Sequence, residues 1–216
     1  MLRESTSDFV ITRPRSYVQS FGKRSIDLTG ALVGSVFFLI LYPVVGVFIK
    51  LESRGPVLVR LRRVSGGRII DLYKFRSMYQ DAHLFKDSLL PLNERSDGPF
   101  FKLRCDPRIT RSGRVIRKFR LDEMPQFINV LLGEMSLVGP RPHEPEEVEN
   151  YPANFRFLAK EKGGITGLSQ VSGASGLPFK RELELDGYYA ENRSVWLDVK
   201  IIAKTAWIML FDPTAV

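Results

Sequence analysis

The chain has 216 residues and carries 32 Lys and Arg against 24 Asp and Glu, a formal net charge of +8. Set apart from one apolar run of about twenty residues, that length suits a single compact domain, and the positive balance suits anionic partners such as lipid headgroups, nucleotides or nucleic acid. A lone cysteine, Cys105, excludes an intrachain disulfide, and the Cys and His content suggests no structural zinc.

Residues 1–20, with Ser5, Thr6, Ser7, Arg13, Pro14 and Arg15, lack apolar periodicity and read as a basic N-terminal tail. Leu28 to Ile49 is an uncharged apolar run, long enough for the roughly 20 residues a spanning helix needs. Tyr42-Pro43 lies past its middle, where proline removes a backbone hydrogen bond and kinks a helix. A full span and a bent re-entrant hairpin both fit. Lys23 and Arg24 before the run balance Lys50 and Arg54 after it, which favours both ends on one face. The run starts late for a secretory signal, exceeds the usual signal core and lacks a small-residue cleavage site, so it reads as a retained anchor. It shows no polar face, unlike a core helix.

Gly55-Pro56 forms a turn, and Val57-Leu58-Val59 opens a strand. Arg60, Arg62, Arg63 and Arg68 surround a Ser65-Gly66-Gly67 turn before Ile69 to Tyr73 resumes an extended pattern, which predicts a basic hairpin. Met78 to Leu90 predicts a helix, followed by a polar loop around Asn93 to Gly98 and an apolar patch from Phe100-Phe101. In the basic stretch Lys102 to Arg120, Val115, Ile116 and Phe119 predict a short amphipathic helix, interfacial or simply solvated. Gln126 to Leu132 predicts a helix with Pro125 in its first turn and Gly133 past its end, so Asp122 and Glu123 fall at its N-terminus. Gly139-Pro140-Arg141-Pro142 is a rigid loop, Glu144 to Glu149 opens another helix, and Gly163, Gly164 and Gly167 mark turns. Trp196 to Phe211 predicts a terminal helix on the core or at the lipid boundary. The division is a tail over 1–20, a membrane helix over 21–54 and a domain over 55–216, mixed α/β and mostly helical.

Asp122 and Glu123 are the candidate chemical pair. The free N–H groups and positive dipole end of a helix favour an ionised carboxylate, the form a nucleophile or metal ligand requires; a bare Leu-Asp-Glu-x-Pro string equally serves as a helix cap. Around it stand Lys74, Arg76, Arg108, Arg111 and Arg141, residue types that neutralise phosphate oxygens. Glycine-rich nucleotide loops, a Gly-x-Ser-x-Gly elbow and a His-Glu-x-x-His helix are all missing from the sequence. His83 and His143 read as surface histidines, His143 being nearer the Pro-Arg-Pro loop.

These blocks resemble the bacterial sugar transferases, the monotopic polyprenyl phosphate phosphoglycosyl transferases. The resemblance runs in order from Phe21: Lys23-Arg24-Ser25-Ile26-Asp27, Gly55-Pro56-Val57, Tyr73-Lys74-Phe75-Arg76-Ser77-Met78 and Asp106-Pro107-Arg108-Ile109-Thr110-Arg111-Ser112-Gly113. It continues through Leu121-Asp122-Glu123-Met124-Pro125-Gln126, Asn129-Val130-Leu131, Gly133 to Pro142, Gly164-Ile165-Thr166-Gly167 and Trp196-Leu197-Asp198. It implies a re-entrant membrane helix hairpin, with a small β-hairpin and interfacial amphipathic helices around a catalytic domain on the cytoplasmic face of the bacterial inner membrane. It implies attack by Asp122 on the β-phosphate of a UDP-sugar, release of UMP, and passage of the phosphosugar to a polyprenyl (undecaprenyl) phosphate, as the first membrane step of surface glycan synthesis. It further implies Mg2+ at Glu123, nucleotide binding at Arg141 between Pro140 and Pro142, and a supporting role for Asp186. The partners are then UDP-sugar, polyprenyl phosphate and membrane lipid, with no nucleic acid, and a homo-oligomer is left open.

The sequence departs from the family pattern at Arg60-Leu61, Arg63-Val64-Ser65 and Lys162-Gly163-Gly164, which touch turns rather than the Asp-Glu block. Larger relatives carry further spans upstream, and this chain resembles the minimal catalytic form. Two rival readings remain at this level. One is a membrane-anchored basic binding protein, which Asp122→Asn would leave functional. The other is a hydrolase, although adjacent carboxylates rarely give the roughly 5–9 Å separation glycosidases use.

Overall fold

The computed structural model describes residues 21–173 and 176–211, so the basic tail lies outside the described residues. The apolar run forms the centre of one helix, α1 (Phe21–Glu52), which continues through Pro43. At 1.5 Å per residue it is about 48 Å long. Asp27, Ala31, Gly34, Phe38, Val45 and Ile49 are buried along it, a repeat of three and four that draws one stripe down the helix. The other sides stay apolar and exposed, including Leu32, Phe37, Leu39, Ile40 and Val47.

Both ends of α1 are tied to the same domain. At the first, Lys23 Nζ donates to Asp198 Oδ2 at 2.7 Å and to the Val138 carbonyl at 3.0 Å. Asp27 Oδ1 accepts the Leu137 N–H at 3.0 Å and the Ser136 hydroxyl at 2.9 Å. At the second, Glu52 accepts the Ser112 N–H at 2.9 Å. The Arg76 guanidinium donates to the carbonyls of Ser53 at 2.6 Å and Arg54 at 2.5 Å.

The basic hairpin is β1 (Leu58–Ser65) and β2 (Arg68–Phe75), antiparallel. Gly66 and Gly67 join them with φ of 61° and 75°, a pair of left-handed residues that only a primed two-residue turn requires and that glycine adopts without strain. Where the sequence predicts one helix over Met78 to Leu90, the chain instead makes a 3-10 turn at Ala82–Phe85, a single turn α2 (Lys86–Leu89) and a second 3-10 turn at Leu90–Leu92. Left-handed Asp81 (φ 59°) delays the start, Pro91 stands at the far end, and Met78 pairs in an antiparallel bridge with Ile109.

The amphipathic helix is α3 (Arg111–Lys118), capped by the Thr110 hydroxyl, which accepts the Gly113 N–H. After it come a 3-10 turn at Leu121–Glu123 and α4 (Gln126–Leu131), entered through Pro125 and left through Gly133 at φ 79°. A parallel pair that the sequence does not announce, β3 (Ser136–Val138) with β4 (Gly164–Thr166), runs through the core. Between them lies α5 (Pro145–Glu149), and after them come α6 (Leu168–Val171), α7 (Phe179–Asn192) and α8 (Val195–Phe211). One apolar cluster gathers Ala31, Leu72, Val130, Met135, Val138 and Ile201 from α1, β2, α4, β3 and α8. A second, with Phe100, Tyr151, Phe179 and Leu183, backs the Pro-Arg-Pro loop.

Candidate active site

Asp122 and Glu123 sit in the 3-10 turn between α3 and α4, not inside a regular helix. Arg120, at φ 53°, reverses the chain just before them, a left-handed conformation that costs a non-glycine residue energy and tends to persist at functional corners. The two carboxylates converge on one cation. Lys74 Nζ lies 3.2 Å from Asp122 Oδ2 and 3.1 Å from Glu123 Oε1. Lys74 is on β2, whose register against α4 is set by Asn129, fully buried. The Asn129 side chain accepts the Tyr73 N–H at 3.1 Å and donates to the Asp71 carbonyl at 2.8 Å.

Further cations surround the pair. Burial pushes the Glu123 carboxyl upward, but Lys74, Arg141 and Arg120 more than offset it and hold it below the usual carboxylate range. Burial likewise acts to lower the Arg141 guanidinium, and the charges of Glu123, Glu182, Glu147 and Asp122 reverse that into a rise. Arg117 is depressed by burial, a fall that Asp122 and Asp106 partly restore, and its Nε donates to the Ser77 hydroxyl at 2.8 Å. Sequence reasoning treats Arg117 as one of a basic run. The signal was available in helix periodicity: Gly113 and Ile116 are buried on α3, which puts position 117 on the inward side.

The predicted site residues divide. Lys74 and Arg141 join Asp122 and Glu123. Arg76 does not: buried to 5 % exposure, it is spent on the carbonyls after α1. Arg108 forks onto Asp106 at 2.6 to 3.2 Å and lies over the Phe101 ring. Arg111 is exposed at the start of α3, next to Ser112, whose N–H bonds to Glu52. Asp186 lies behind the loop, its Oδ2 accepting the Arg141 N–H at 2.9 Å. Because Pro140 and Pro142 have no N–H, Arg141 offers the only backbone donor in that tripeptide. Burial raises the Asp186 carboxyl to about 6, against the lowering influence of Ser169, the Arg141 N–H and His143.

His143 is not the surface residue its sequence context suggests. It is buried, its Nδ1 bonded to the Tyr151 hydroxyl, its Nε2 3.6 Å from Glu182 Oε1, and its ring against Phe100. The turn of the chain between two prolines carries it inward, where the second apolar cluster closes over it. His83 is exposed as expected.

The loop itself is held by close backbone approach. The Gly139 N–H donates to the Thr166 carbonyl at 3.0 Å, and the Gly164 N–H to the Pro140 carbonyl at 2.8 Å. A Cβ on Gly164 would stand 2.1 Å from the Gly139 nitrogen, a distance no side chain tolerates.

Asp122 and Glu123 have the donor chemistry that Mg2+ accepts, one or two carboxylates with its other positions left to phosphate and water. Among the described residues no set of three Asp, Glu, His or Cys forms a resident metal cage.

One turn thus carries two adjacent carboxylates on a shared lysine, with Arg117 and Arg141 nearby, in a domain packed on a long apolar helix. The chain belongs to the bacterial sugar transferase family, whose model matches residues 18–212. It is 42 % identical to the galactosyl transferase CpsE of Streptococcus agalactiae over 204 residues, 92 % of this chain and 44 % of that protein. It is 38 % identical to the undecaprenyl-phosphate galactose phosphotransferase of Salmonella typhimurium, over 88 % of this chain and 40 % of that one. With the exopolysaccharide production protein ExoY of Rhizobium meliloti it shares 33 % identity over 94 % of this chain and 93 % of the relative. The chain thus spans less than half the length of several curated relatives and nearly all of another.

Proposed function

We propose that the protein transfers a sugar 1-phosphate from a UDP-sugar to a polyprenyl phosphate at the membrane, releasing UMP. The observation that carries this reading is the convergence of Asp122 and Glu123 on Lys74, with Arg141 and Arg117 close by. Asp122 is the nucleophile. Its carboxylate oxygen bonds to the β-phosphorus as the bond from that phosphorus to the bridging oxygen breaks, and UMP leaves with that oxygen. An oxygen of the polyprenyl phosphate then attacks the same phosphorus, the bond to Asp122 breaks, and the carboxylate returns. Phosphoryl transfer asks a protein mainly to position its reactants and neutralise spreading oxygen charge. Lys74 orients Asp122 through their 3.2 Å ion pair; Arg141, steadied through its N–H by Asp186, faces the nucleotide phosphate. A magnesium ion held by Glu123 and the diphosphate would supply additional charge neutralisation.

The membrane arrangement is re-entrant, with both ends of α1 on the cytoplasmic face of the inner membrane. What supports it is that Lys23 and Glu52, at opposite ends of the helix, both bond to one polar domain, whereas a crossing helix parts its ends by about 30 Å of hydrocarbon. The names of relatives support the lipid carrier and the sugar-phosphate chemistry, through the Salmonella undecaprenyl-phosphate galactose phosphotransferase, and a role in exopolysaccharide assembly, through ExoY.

The test is UMP release by detergent-purified protein with magnesium, undecaprenyl phosphate and a panel of UDP-sugars, beside Asp122→Asn. UMP that depends on lipid and on one sugar, and disappears in the variant, is the expected result. UMP from no donor with folded protein, or undiminished UMP from Asp122→Asn, defeats the proposal.

A further inference from the structure

A second cationic pocket lies apart from the Asp-Glu turn, at the N-terminal foot of α1. This cavity of about 50 Å³ is lined by Lys23, Arg24, Lys162 and Arg193, with Asp27 and Glu161 as the lining carboxylates; Lys74, Asp122, Glu123 and Arg141 take no part in it. The Arg193 side chain is only 10 % exposed and donates from Nη1 to Glu161 at 2.6 Å. Its Nε is buried and has no hydrogen-bond partner among the described residues. A buried guanidinium N–H without an acceptor is costly, and Arg193 lines a space where Lys162 adds an exposed ammonium. Arg24 is fixed by the last carbonyls of α4, Val130 and Leu131, so its charge stays at the pocket wall.

We infer that this pocket binds the phosphate of an anionic lipid headgroup. A tetrahedral phosphate supplies an acceptor for the Arg193 side chain and balances Arg24 and Lys162, since Lys23 is already paired with Asp27 and Asp198 and Arg193 with Glu161. The location matches a headgroup rather than bulk solvent. Apart from Phe21 at its first residue, the exposed large apolar side chains of α1 begin at Leu32, about two turns beyond the pocket residues Lys23 and Arg24. Three residues after Arg193, Trp196 is 67 % exposed at the start of α8, with Lys200 Nζ 5.2 Å from its ring centre. Tryptophan with a neighbouring cation is the pairing that settles at a membrane–water boundary.

The probes are dihexanoyl phosphatidylglycerol and inorganic phosphate, added to the full chain in a neutral maltoside detergent, with the melting temperature as readout. Phosphatidylglycerol raises the midpoint by about 5 °C near saturation. Lys162→Ala, at an exposed position, and Arg193→Gln each raise the concentration needed by about tenfold or more. An equal shift from inorganic phosphate, lost in the same variants, assigns the pocket to a soluble phosphate and overturns the lipid reading. No shift from either probe, or one that both variants leave intact, overturns the site altogether.

Discussion

Lys23→Met removes the cation from a buried cluster while keeping most of its volume. Lys23 and Asp198 have side-chain exposures of 8 % and 0 % and meet at 2.7 Å; Asp27 lies 3.4 Å away at 7 %. The ammonium also satisfies the Val138 carbonyl at 3.0 Å, and Asp198 holds the Tyr189 hydroxyl at 2.7 Å. Methionine would therefore leave two buried carboxylates facing one another without the charge between them. Breaking a buried pair from one side costs about 3–5 kcal/mol, which in a chain of this size lowers the melting temperature by roughly 6–20 °C. Asp198→Asn keeps one acceptor oxygen, for Lys23, but loses the charge and replaces the oxygen that accepts from Tyr189 with an NH2 donor; the Tyr189 hydroxyl can still donate to the Val138 carbonyl, so the change should cost about 1.5–3 kcal/mol. The assay is thermal unfolding in detergent, followed by near-ultraviolet circular dichroism. A Lys23→Met midpoint within about 2 °C of the parent would refute the claim that this cluster ties α1 to the domain.

Lys74→Met should lower turnover by about 10²–10³, the usual effect of deleting one group that stabilises transition-state charge. Because Lys74 helps hold the Glu123 carboxyl low, the acid limb of the rate profile should also move to higher pH; an unmoved limb in a UMP-release titration contradicts this. Asp186 binds its proton more tightly folded, at about 6, than unfolded at about 3.9, so its contribution to stability is greatest below about pH 4 and declines as pH rises through about 6. Asp186→Asn abolishes that decline, and its stability relative to the parent should improve by on the order of 2–3 kcal/mol between about pH 4 and 7, read by urea unfolding. Gly34→Ala places a Cβ 2.4 Å from the Phe127 ring and should cost about 1–3 kcal/mol. Gly46→Ala, whose nearest contacts are Val57 methyls at 3.5 Å, should be neutral or stabilising on the same melt, since alanine favours helix by up to about 1 kcal/mol.

Local chemistry was legible wherever a few neighbouring residues decide it. The apolar run had to be helical, although a span and a bent hairpin both fitted it and only the structure carries one helix through Pro43; Gly66-Gly67 had to turn a hairpin, and Pro125 and Gly133 bracketed α4 closely. The Asp122-Glu123 pair could be proposed from residue types and block order, but Lys74, Arg76, Arg108, Arg111 and Arg141 stood as its candidate cations with nothing to rank them. Other features stayed hidden because they arise between distant parts of the chain. The three-residue strands β3 and β4 are too short to display alternation, and their pairing spans 28 residues from Ser136 to Gly164. Nothing near Asn129 reveals that its side chain joins β2, nor anything near Asp186 that it holds a loop 45 residues earlier.

The sequence alone determined which segments are apolar, where the chain turns, and which acids and bases were available, since those follow from side-chain chemistry and backbone restriction at single positions. Only the tertiary structure decided how that stock of Lys and Arg is divided. Arg76 and Arg108 satisfy carbonyls and a neighbouring aspartate, Arg117 turns inward beside Asp122, and Arg193 faces a separate pocket. Burial and distance set what a charge does, and neither exists until residues far apart in the chain have packed together.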